Sequence, residues 1–290
     1  MSHKLPTIAA IPNYNMAPSL QPLLQQMVEQ PNPYDYIYVL DDASTDDSRA
    51  VVKGFGQDVR LIAGNTNVGS GGNRNRILET LCHANHSALI HFVDADVTLD
   101  TDEHGKTINP VPEIAADLLE NTHHTAFVGG LVRSENGKQM SLNYGPLFSA
   151  HTHLTGLAQV LSYDNPARRR RFAKHLQEYP DPNKTPAAKN VHWVSEANLL
   201  IHSGVLARLG GFDQRLCGHD IQPLSLQAKK QGLVGRFDPS FAVTHHPYGE
   251  HPPTRDLRRK LAAIGVVRYH SSWRNFVFPD GLFRPQPPTA

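Results

Sequence analysis

The sequence has only two cysteines, Cys82 and Cys217. Two cysteines cannot form a disulfide framework, and these two do not have the paired spacing of a zinc site. We therefore expect reduced, partly buried thiols in a cytosolic protein. The sequence also lacks any stretch close to the roughly 20 consecutive apolar residues that cross a bilayer, so we expect no membrane span.

Net charge is nearly absent as well. Lys and Arg number 28 against 27 Asp and Glu, which gives a net charge of +1. Proteins that bind nucleic acid usually carry a clear basic excess, so nucleic acid is not expected as a partner. Two basic stretches, residues 168–171 and 255–260, leave peripheral contact with the inner face of a membrane open, although solvated helix faces explain them more simply. We expect a cytoplasmic protein, and the sequence does not indicate its oligomeric state.

The first half of the chain alternates between strand-like and helix-like stretches. In the first predicted helix, Leu20, Leu23, Leu24 and Met27 recur at helical spacing, and Ser19 is the predicted N-cap. Such alternation predicts βαβ units and an α/β fold with a mostly parallel sheet. The predicted strands are residues 7–11, 36–40, 59–63, 88–93 and 126–132.

Polar clusters follow four of these strands. In open α/β sheets, ligands bind beyond the carboxyl ends of the strands. Four clusters at one edge of one sheet therefore predict a ligand site there. The clusters are residues 13–15, 41–42, 65–75 and 94–96.

Asp94 and Asp96 lie two residues apart at the end of the fourth strand, in "LIHFVDADVTLD". Side chains at this spacing share one face of a strand, and two carboxylates placed so repel each other unless a cation lies beside them. Their hard oxygen ligands suit Mg²⁺ or Mn²⁺. The pair alone also fits a solvated acidic turn.

Two further clusters have polar side chains suited to a nucleotide. The Asp42 carboxylate could accept the imide N–H of a pyrimidine, although the same stretch could simply be a turn that caps a helix. Glycines at 69, 71 and 72 permit close backbone approach to a ligand, and Arg74 could donate to a base carbonyl or a phosphate. The glycine spacing matches neither the dinucleotide fingerprint nor the P-loop.

Five motifs in order resemble family 2 glycosyltransferases of the GT-A fold. The resemblance implies a Rossmann-like, mostly parallel sheet with helices on both faces and a smaller acceptor-side subdomain. It also implies a nucleotide-sugar-binding half (1–132), an acceptor-binding half (133–250) with a basic and Pro-rich insert at about 164–190, and a C-terminal helix with a Pro-rich tail (251–290). The motifs are "IPNYN" at 11–15, "VLDDAST" at 39–45, "NVGSGGNRNR" at 67–76, "FVDADV" at 92–97 and "LGGFDQRLCGHD" at 209–220.

Residue roles follow from the resemblance by position. Asp42 would accept from the pyrimidine N–H, Arg74 would lie beside the base, and Asp94 would lie near the ribose and the metal. Asp96 would bind Mn²⁺ or Mg²⁺ on the diphosphate, with His245 favoured over His246 as a further ligand. The implied nucleotide pocket comprises Pro12, Tyr14, Asn15, Asp42, Gly69, Arg74 and Asp94.

The acceptor side is implied by two stretches. Asp220 takes the position of the catalytic base, but His219 replaces the Glu that usually precedes it, which leaves the role of that neighbour open. In "WVSEAN", Trp193, Glu196 and Asn198 would line the cleft for the sugar and the acceptor, and His219 is placed with them.

The implied activity is inverting transfer of a sugar from a nucleoside-diphosphate sugar to a hydroxyl acceptor in a cell-surface glycan or glycolipid. UDP is favoured over dTDP or GDP by analogy alone. One alternative is a non-catalytic relative that binds sugar nucleotides. Another is a nucleotidyltransferase, which would need a basic Gly-rich loop early in the chain that "IPNYNMAPS" lacks. The Q-x-x-R-W signature of processive members is absent, so we expect addition of a single sugar.

Overall fold

The computed structural model describes residues 5–29, 34–83, 87–104, 108, 111–120, 124–140, 142–145, 180–181, 183–214 and 220–246. Four predictions therefore lie outside the described residues: most of the insert at 164–190, the helix and tail at 251–290, the partial burial of Cys217, and the role of His219. No helix within the described residues is long and apolar enough to span a membrane.

All five predicted strands are present, and the described residues contain six further strands that are short or occur late in the chain. The strands are β1 (Thr7–Asn13), β2 (Tyr36–Asp41), β3 (Val59–Ala63), β4 (Leu89–Val93), β5 (Val97–Leu99), β6 (Thr125–Ser134), β7 (Tyr144–Gly145), β8 (Lys189–Val191), β9 (Trp193–Val194), β10 (Asn198–His202) and β11 (Val234–His245). The helices are α1 (Ala17–Val28), α2 (Ser48–Gly54), α3 (Gly69–His83), α4 (Val111–Glu120), α5 (Ser203–Arg208) and α6 (Ile221–Lys230).

The described strands form a nine-stranded main sheet in the order β3-β2-β1-β4-β10-β6-β11-β5, with β8 also paired to β11. Strands β3, β2, β1, β4, β6 and β11 share one direction, whereas β10, β5 and β8 oppose it. Strands β7 and β9 form a separate antiparallel pair. The mixed α/β fold with a mostly parallel sheet is therefore as the sequence predicted.

Helices cover both faces of the main sheet, and strand β4 shows how the two layers divide. Ile90 and Phe92 belong to one apolar cluster, which also contains buried side chains of α3, α5 and α6. Leu89 and Val93 belong to the other, which contains those of α1, α2 and α4. Because neighbouring residues of a strand face opposite sides, a central strand buried on both faces is mostly apolar, and His91 is the polar exception in β4.

Helix α1 begins earlier than the sequence predicted. Its first N–H, on Ala17, donates to the Asp46 carboxylate at 2.9 Å, while the Ser19 hydroxyl donates to the Met16 carbonyl. With Ser19 as the N-cap, Pro22 would lie in the first turn, but because the helix begins at Ala17, Pro22 lies inside it. The capping residue, Asp46, is distant in sequence, so no local pattern predicts it. On α3, Cys82 is exposed, contrary to the expected partial burial.

A buried polar network fixes β10 between its neighbours. His91 on β4 lies 2.7 Å from the Tyr34 hydroxyl through Nδ1 and 2.7 Å from the Asn198 Oδ1 through Nε2. The Asn198 Nδ2 donates to the Phe241 carbonyl at 3.2 Å. Since the Asn198 oxygen can only accept, His91 donates through Nε2 and accepts from Tyr34 through Nδ1. The network thus holds one neutral tautomer of the imidazole.

The His91 network makes stability depend on pH. Burial lowers the pKa of His91 from 6.5 to about 4, although its hydrogen bond to Asn198 opposes the shift. Between these values the unfolded chain binds a proton that the folded protein does not, so stability decreases as pH falls. Between about pH 7.5 and pH 5, we predict that the unfolding free energy of the wild type falls by about 2 kcal/mol more than that of His91→Gln.

Urea denaturation of both proteins at the two pH values measures this difference. The exposed His104 provides a matched control, because His104→Gln should keep the pH dependence of the wild type. If the unfolding free energies of wild type and His91→Gln change equally between the two pH values, His91 is not the source of the pH dependence.

Candidate functional site

A cavity of about 630 Å³ lies at the carboxyl ends of β1, β2 and β4. It receives residues from all four polar clusters predicted from the sequence and from the acceptor-side stretches. Within the described residues, the sequence-predicted site residues that line it are Pro12, Tyr14, Asn15, Asp42, Gly69, Arg74, Asp94, Asp96, Trp193, Glu196, Asp220 and His245.

Asn198 is an exception, and its predicted contact with the sugar or acceptor is corrected by the structure. Its side chain is fully buried and serves the network with His91 and Phe241 instead of the cavity. A Cβ at Gly130 would lie 2.1 Å from the Asn198 Nδ2, so the glycine on the neighbouring strand leaves the space that the Asn198 amide occupies. Asn198 therefore supports the sheet below the site.

The loops after β1 and β2 hold each other in place. Asn15 adopts a left-handed backbone conformation, with φ of 55°. Its Oδ1 accepts from the Thr45 N–H at 2.7 Å, and its own N–H donates to the Ser44 hydroxyl at 3.0 Å. Tyr14 directly precedes the anchored Asn15; it is 48% exposed and lines the cavity. The polar groups of Asn15 thus build the wall that carries Tyr14.

Asp42 anchors the loop that leads into α3. Its buried carboxylate accepts from the Val68 N–H and the Gly69 N–H, each at 2.9 Å at the nearest oxygen. The Arg76 guanidinium lies 3.3 Å away on the same carboxylate and crosses Gly64, where a Cβ would be 2.4 Å from it. Sequence reasoning missed Arg76. Any base contact of Asp42 would share a carboxylate that already organises this loop.

Arg74 joins two carboxylates that are distant in sequence. Its Nη2 lies 2.6 Å from the Asp94 Oδ1, and its Nη1 lies 3.0 Å from the Asp220 Oδ2. The guanidinium is only 5% exposed and lies 5.9 Å from the Phe212 ring centroid. The Arg74 Nε has no hydrogen-bond partner and each terminal nitrogen keeps a second N–H, so the expected position of Arg74 beside the base stays a prediction.

Positive charges near Asp94 lower the energetic cost of placing its carboxylate close to that of Asp96. Burial raises the pKa of the Asp94 carboxyl, and the nearby Asp96 carboxylate adds to this effect. The positive charges of Arg74 and His245 oppose it. Buried carboxylates need such partners, since an uncompensated buried charge is strongly destabilising.

At the start of α6, Glu196 caps the helix and Asp220 pairs with Arg74. Asp220 occupies the N-cap position and is fully buried, but its side chain makes no capping hydrogen bond in the described structure. The Glu196 Oε1 accepts from the Ile221 N–H at 3.0 Å and supplies the cap instead. Burial raises the pKa of Glu196, while Arg74 and the Ile221 N–H oppose the shift. The Asp220 carboxylate can therefore pair with Arg74.

Asp96 and His245 face each other across the cavity wall. The His245 Nε2 lies 3.3 Å from the Asp96 Oδ2, and this contact raises the pKa of His245. His246 turns elsewhere, with Nε2 2.9 Å from the Thr98 hydroxyl and Nδ1 3.0 Å from the Glu135 carboxylate. This placement favours His245 over His246 as the residue available at the cavity.

The Asp96 and His245 side chains fit a small divalent cation. Neighbouring ligands of octahedral Mg²⁺ or Mn²⁺ lie about 3 Å apart, close to the separation of these two atoms. In the described part of the chain, no three His, Cys, Asp or Glu side chains are grouped so as to hold a metal by themselves. Water and substrate oxygens would therefore complete the shell, as is usual for Mg²⁺.

Unpartnered polar atoms concentrate at this cavity. Eight buried side-chain nitrogen or oxygen atoms in the described residues lack a hydrogen-bond partner, and six belong to residues that line the cavity. Buried polar groups are normally paired, so this clustering indicates a polar ligand. The six are the Asn13 Oδ1, Ser70 Oγ, Asn73 Oδ1, Arg74 Nε, Gln222 Oε1 and His245 Nδ1.

The cavity also has an apolar side that sequence reasoning did not anticipate. Val132, Met140 and Leu142 contribute to its lining together with the predicted Trp193. These residues come from the end of β6 and the segment that follows, where the sequence shows no clear periodicity. No signal in the sequence identified them as site residues.

Comparison with known proteins gives a family and a set of structural neighbours. The sequence model of the family described as glycosyl transferase family 2 matches residues 8–152. No curated protein sequence matches the chain.

Solved structures resemble the chain at low identity. S. aureus TarS shares 15% identity over 92% of this chain and 39% of that chain, with a TM-score of 0.55. The mannosyltransferase PcManGT from Pyrobaculum calidifontis, in complex with GDP-Man and Mn²⁺, shares 16% over 92% and 64%, with a TM-score of 0.55. GalNAc-T7 with UDP, GalNAc and Mn²⁺ shares 14% over 84% and 44%, with a TM-score of 0.56.

These neighbours establish the fold alone, and the chain spans less than two thirds of the length of each. The mixed sheet with its ligand cavity at the strand ends is the GT-A fold that they share. The matching family model covers half of the 290-residue chain. The chain therefore belongs to glycosyltransferase family 2.

Proposed function

We propose that this protein transfers a sugar, with inversion, from a nucleoside-diphosphate sugar to a hydroxyl acceptor. The observation that carries the proposal is the Arg74 bridge, which holds Asp94 and Asp220 at one cavity that Asp96 also lines. A donor site and a proton acceptor are thereby within one cleft. The acceptor class we propose is a glycan or glycolipid, with the enzyme in the cytoplasm or at the inner face of a membrane.

The proposed nucleotide position is the side of the cavity built from β1, β2 and α3. Pro12, Tyr14 and the Gly69 backbone offer an apolar edge, an exposed ring and a helix N-terminus. The N–H groups at a helix start favour an anion such as a diphosphate. Neighbours of the same fold are described with UDP, UDP-GlcNAc and GDP-Man, so a UDP-sugar is the first donor to test, followed by dTDP- and GDP-sugars.

Asp96 and His245 are the proposed holders of Mn²⁺ or Mg²⁺. When bound, the cation supplies positive charge for the diphosphate as it leaves. Asp94 contributes by its position beside Asp96 and by its ion pair with Arg74.

Asp220 is the proposed general base. As the acceptor oxygen forms its bond to the anomeric carbon, the bond from that carbon to the diphosphate oxygen breaks, and the hydroxyl proton moves to the Asp220 carboxylate. A single displacement of this kind inverts the configuration of the anomeric carbon. Arg74 holds the carboxylate in its ionised form inside a fully buried position.

The Asp220→Asn variant tests the base. The amide keeps the shape of the side chain but cannot take the proton, so we predict that kcat falls by about 10²- to 10⁴-fold. Donor affinity should change by less than about twofold, because Asp220 is not assigned to the nucleotide. Release of UDP from UDP-sugars in the presence of Mn²⁺ measures turnover, and calorimetric titration with UDP measures affinity.

The exposed Asp58 provides a charge-matched control, and Asp58→Asn should behave as the wild type. Retained turnover in Asp220→Asn would remove that residue as the base. Nucleotide binding without any turnover in the wild type would instead favour the non-catalytic alternative.

The Asp96→Ala variant tests the cation site. UDP raises the Tm by mass action, and we predict a larger increase with Mn²⁺ than with a chelator. Asp96→Ala should abolish the additional increase that Mn²⁺ gives, because one of the two proposed protein ligands is lost. Thermal-shift assays of wild type, Asp96→Ala and Asp58→Ala measure it. An undiminished effect of Mn²⁺ in Asp96→Ala would contradict the assignment.

A further inference from the structure

Among the described cavity residues with an unpartnered side-chain atom, Gln222 is the one that belongs neither to the proposed nucleotide side nor to the proposed cation site. Asn13, Ser70, Asn73 and Arg74 belong to the proposed nucleotide side, and His245 belongs to the proposed cation site. Gln222 lies on α6, two residues after the proposed base, and is only 3% exposed. Its Oε1 has no hydrogen-bond partner.

The first turn of α6 holds Gln222 firmly. The Ser225 hydroxyl donates to the Gln222 carbonyl at 2.7 Å. The Ile221 N–H donates to Glu196, and Pro223 follows with a fixed φ and no N–H to satisfy. These contacts fix the backbone on both sides of Gln222, and this buried residue contributes to the cavity lining.

The chemistry of an amide oxygen limits the ligand. It accepts hydrogen bonds and cannot donate them, so a diphosphate, which offers only acceptor oxygens, does not match it. A base N–H could match, but the proposed base side is built from β1, β2 and α3, whereas Gln222 lies on α6 beside Asp220. The remaining donor that a glycosyltransferase site must receive is a sugar hydroxyl.

The surroundings of Gln222 also suit a sugar. Strand β9, which carries Trp193, packs against α6, and both residues line the cavity. An indole gives an apolar surface with a polar edge, which complements a ring that has apolar C–H faces and hydroxyl edges. Polar and apolar groups that match a sugar are thus brought together next to Asp220.

We propose that Gln222 binds a sugar hydroxyl next to the reaction centre and helps to select the sugar. This inference rests on the proposed function. The hydroxyl belongs either to the donor sugar or to a sugar of the acceptor, and the experiment below separates these sources.

The first measurement needs no ligand. A buried amide without a partner destabilises the free protein, and Leu has a similar size without the polar group. Gln222→Leu should therefore raise the Tm by about 2–6 °C. Gln227 lies on the same helix, outside the cavity lining and partly exposed, so Gln227→Leu should change the Tm by about 1 °C or less. A lower Tm for Gln222→Leu would overturn the proposal.

The second measurement compares ligands in the presence of Mn²⁺. UDP alone should bind wild type and Gln222→Leu equally. If the donor supplies the hydroxyl, UDP-glucose or UDP-GlcNAc should bind Gln222→Leu about 10- to 100-fold more weakly than the wild type. If the acceptor supplies it, the UDP-sugars should be unaffected, and methyl glycosides added to the UDP-loaded protein should lose affinity by a similar factor.

Unchanged affinity for both the UDP-sugars and the methyl glycosides would also overturn the proposal. Failure of the proposed function has a different signature, because the wild type itself would then bind neither UDP nor UDP-sugars. In that case the UDP-loaded protein cannot be prepared, and the failure is assigned to the proposed function rather than to Gln222.

Discussion

The arrangement of the site depends on the buried guanidinium of Arg74. It pairs with Asp94 at the end of β4 and with Asp220 at the start of α6, 146 residues further along the chain. Both pairs are largely removed from water, where an unpaired charge is strongly destabilising. Two parts of the chain that are distant in sequence are therefore joined at the cavity by the ion pairs of one guanidinium.

The acidic residues around Arg74 do not all depend on its one positive charge, which lowers the electrostatic cost of the cluster. Glu196 caps α6 through the Ile221 N–H, and Asp96 contacts His245. Since Glu196 provides the cap, Asp220 at the N-cap position remains available to Arg74. A Glu or Asp next to a helix start can cap the helix or pair elsewhere, and here Glu196 caps α6 while Asp220 pairs with Arg74.

The sequence predicted the parts of this site that depend on local order. Asp42, Asp94 and Asp96 directly follow buried strands, and the carboxyl ends of parallel strands meet at one edge, so their shared location followed from periodicity. The role of Asn198 did not, because alternation cannot tell which face of a strand buried on both sides carries a functional group. The Arg74–Asp220 pair and the Asp46 cap of α1 join residues distant in sequence, and no local pattern contains that information.

The charge balance of the cavity supports the proposed role of a cation. Among the described lining residues there are five carboxylates, against the Arg74 guanidinium and the His245 imidazole; the carboxylates belong to Asp42, Asp94, Asp96, Glu196 and Asp220. Arg76 compensates Asp42 from outside the lining, and Arg74 is shared between two of the others. A diphosphate would bring further negative charge into this surplus, and in a partly buried site such repulsion is weakly screened. A divalent cation between Asp96 and the diphosphate reverses the sign of the interaction, so we infer that donor and cation bind together.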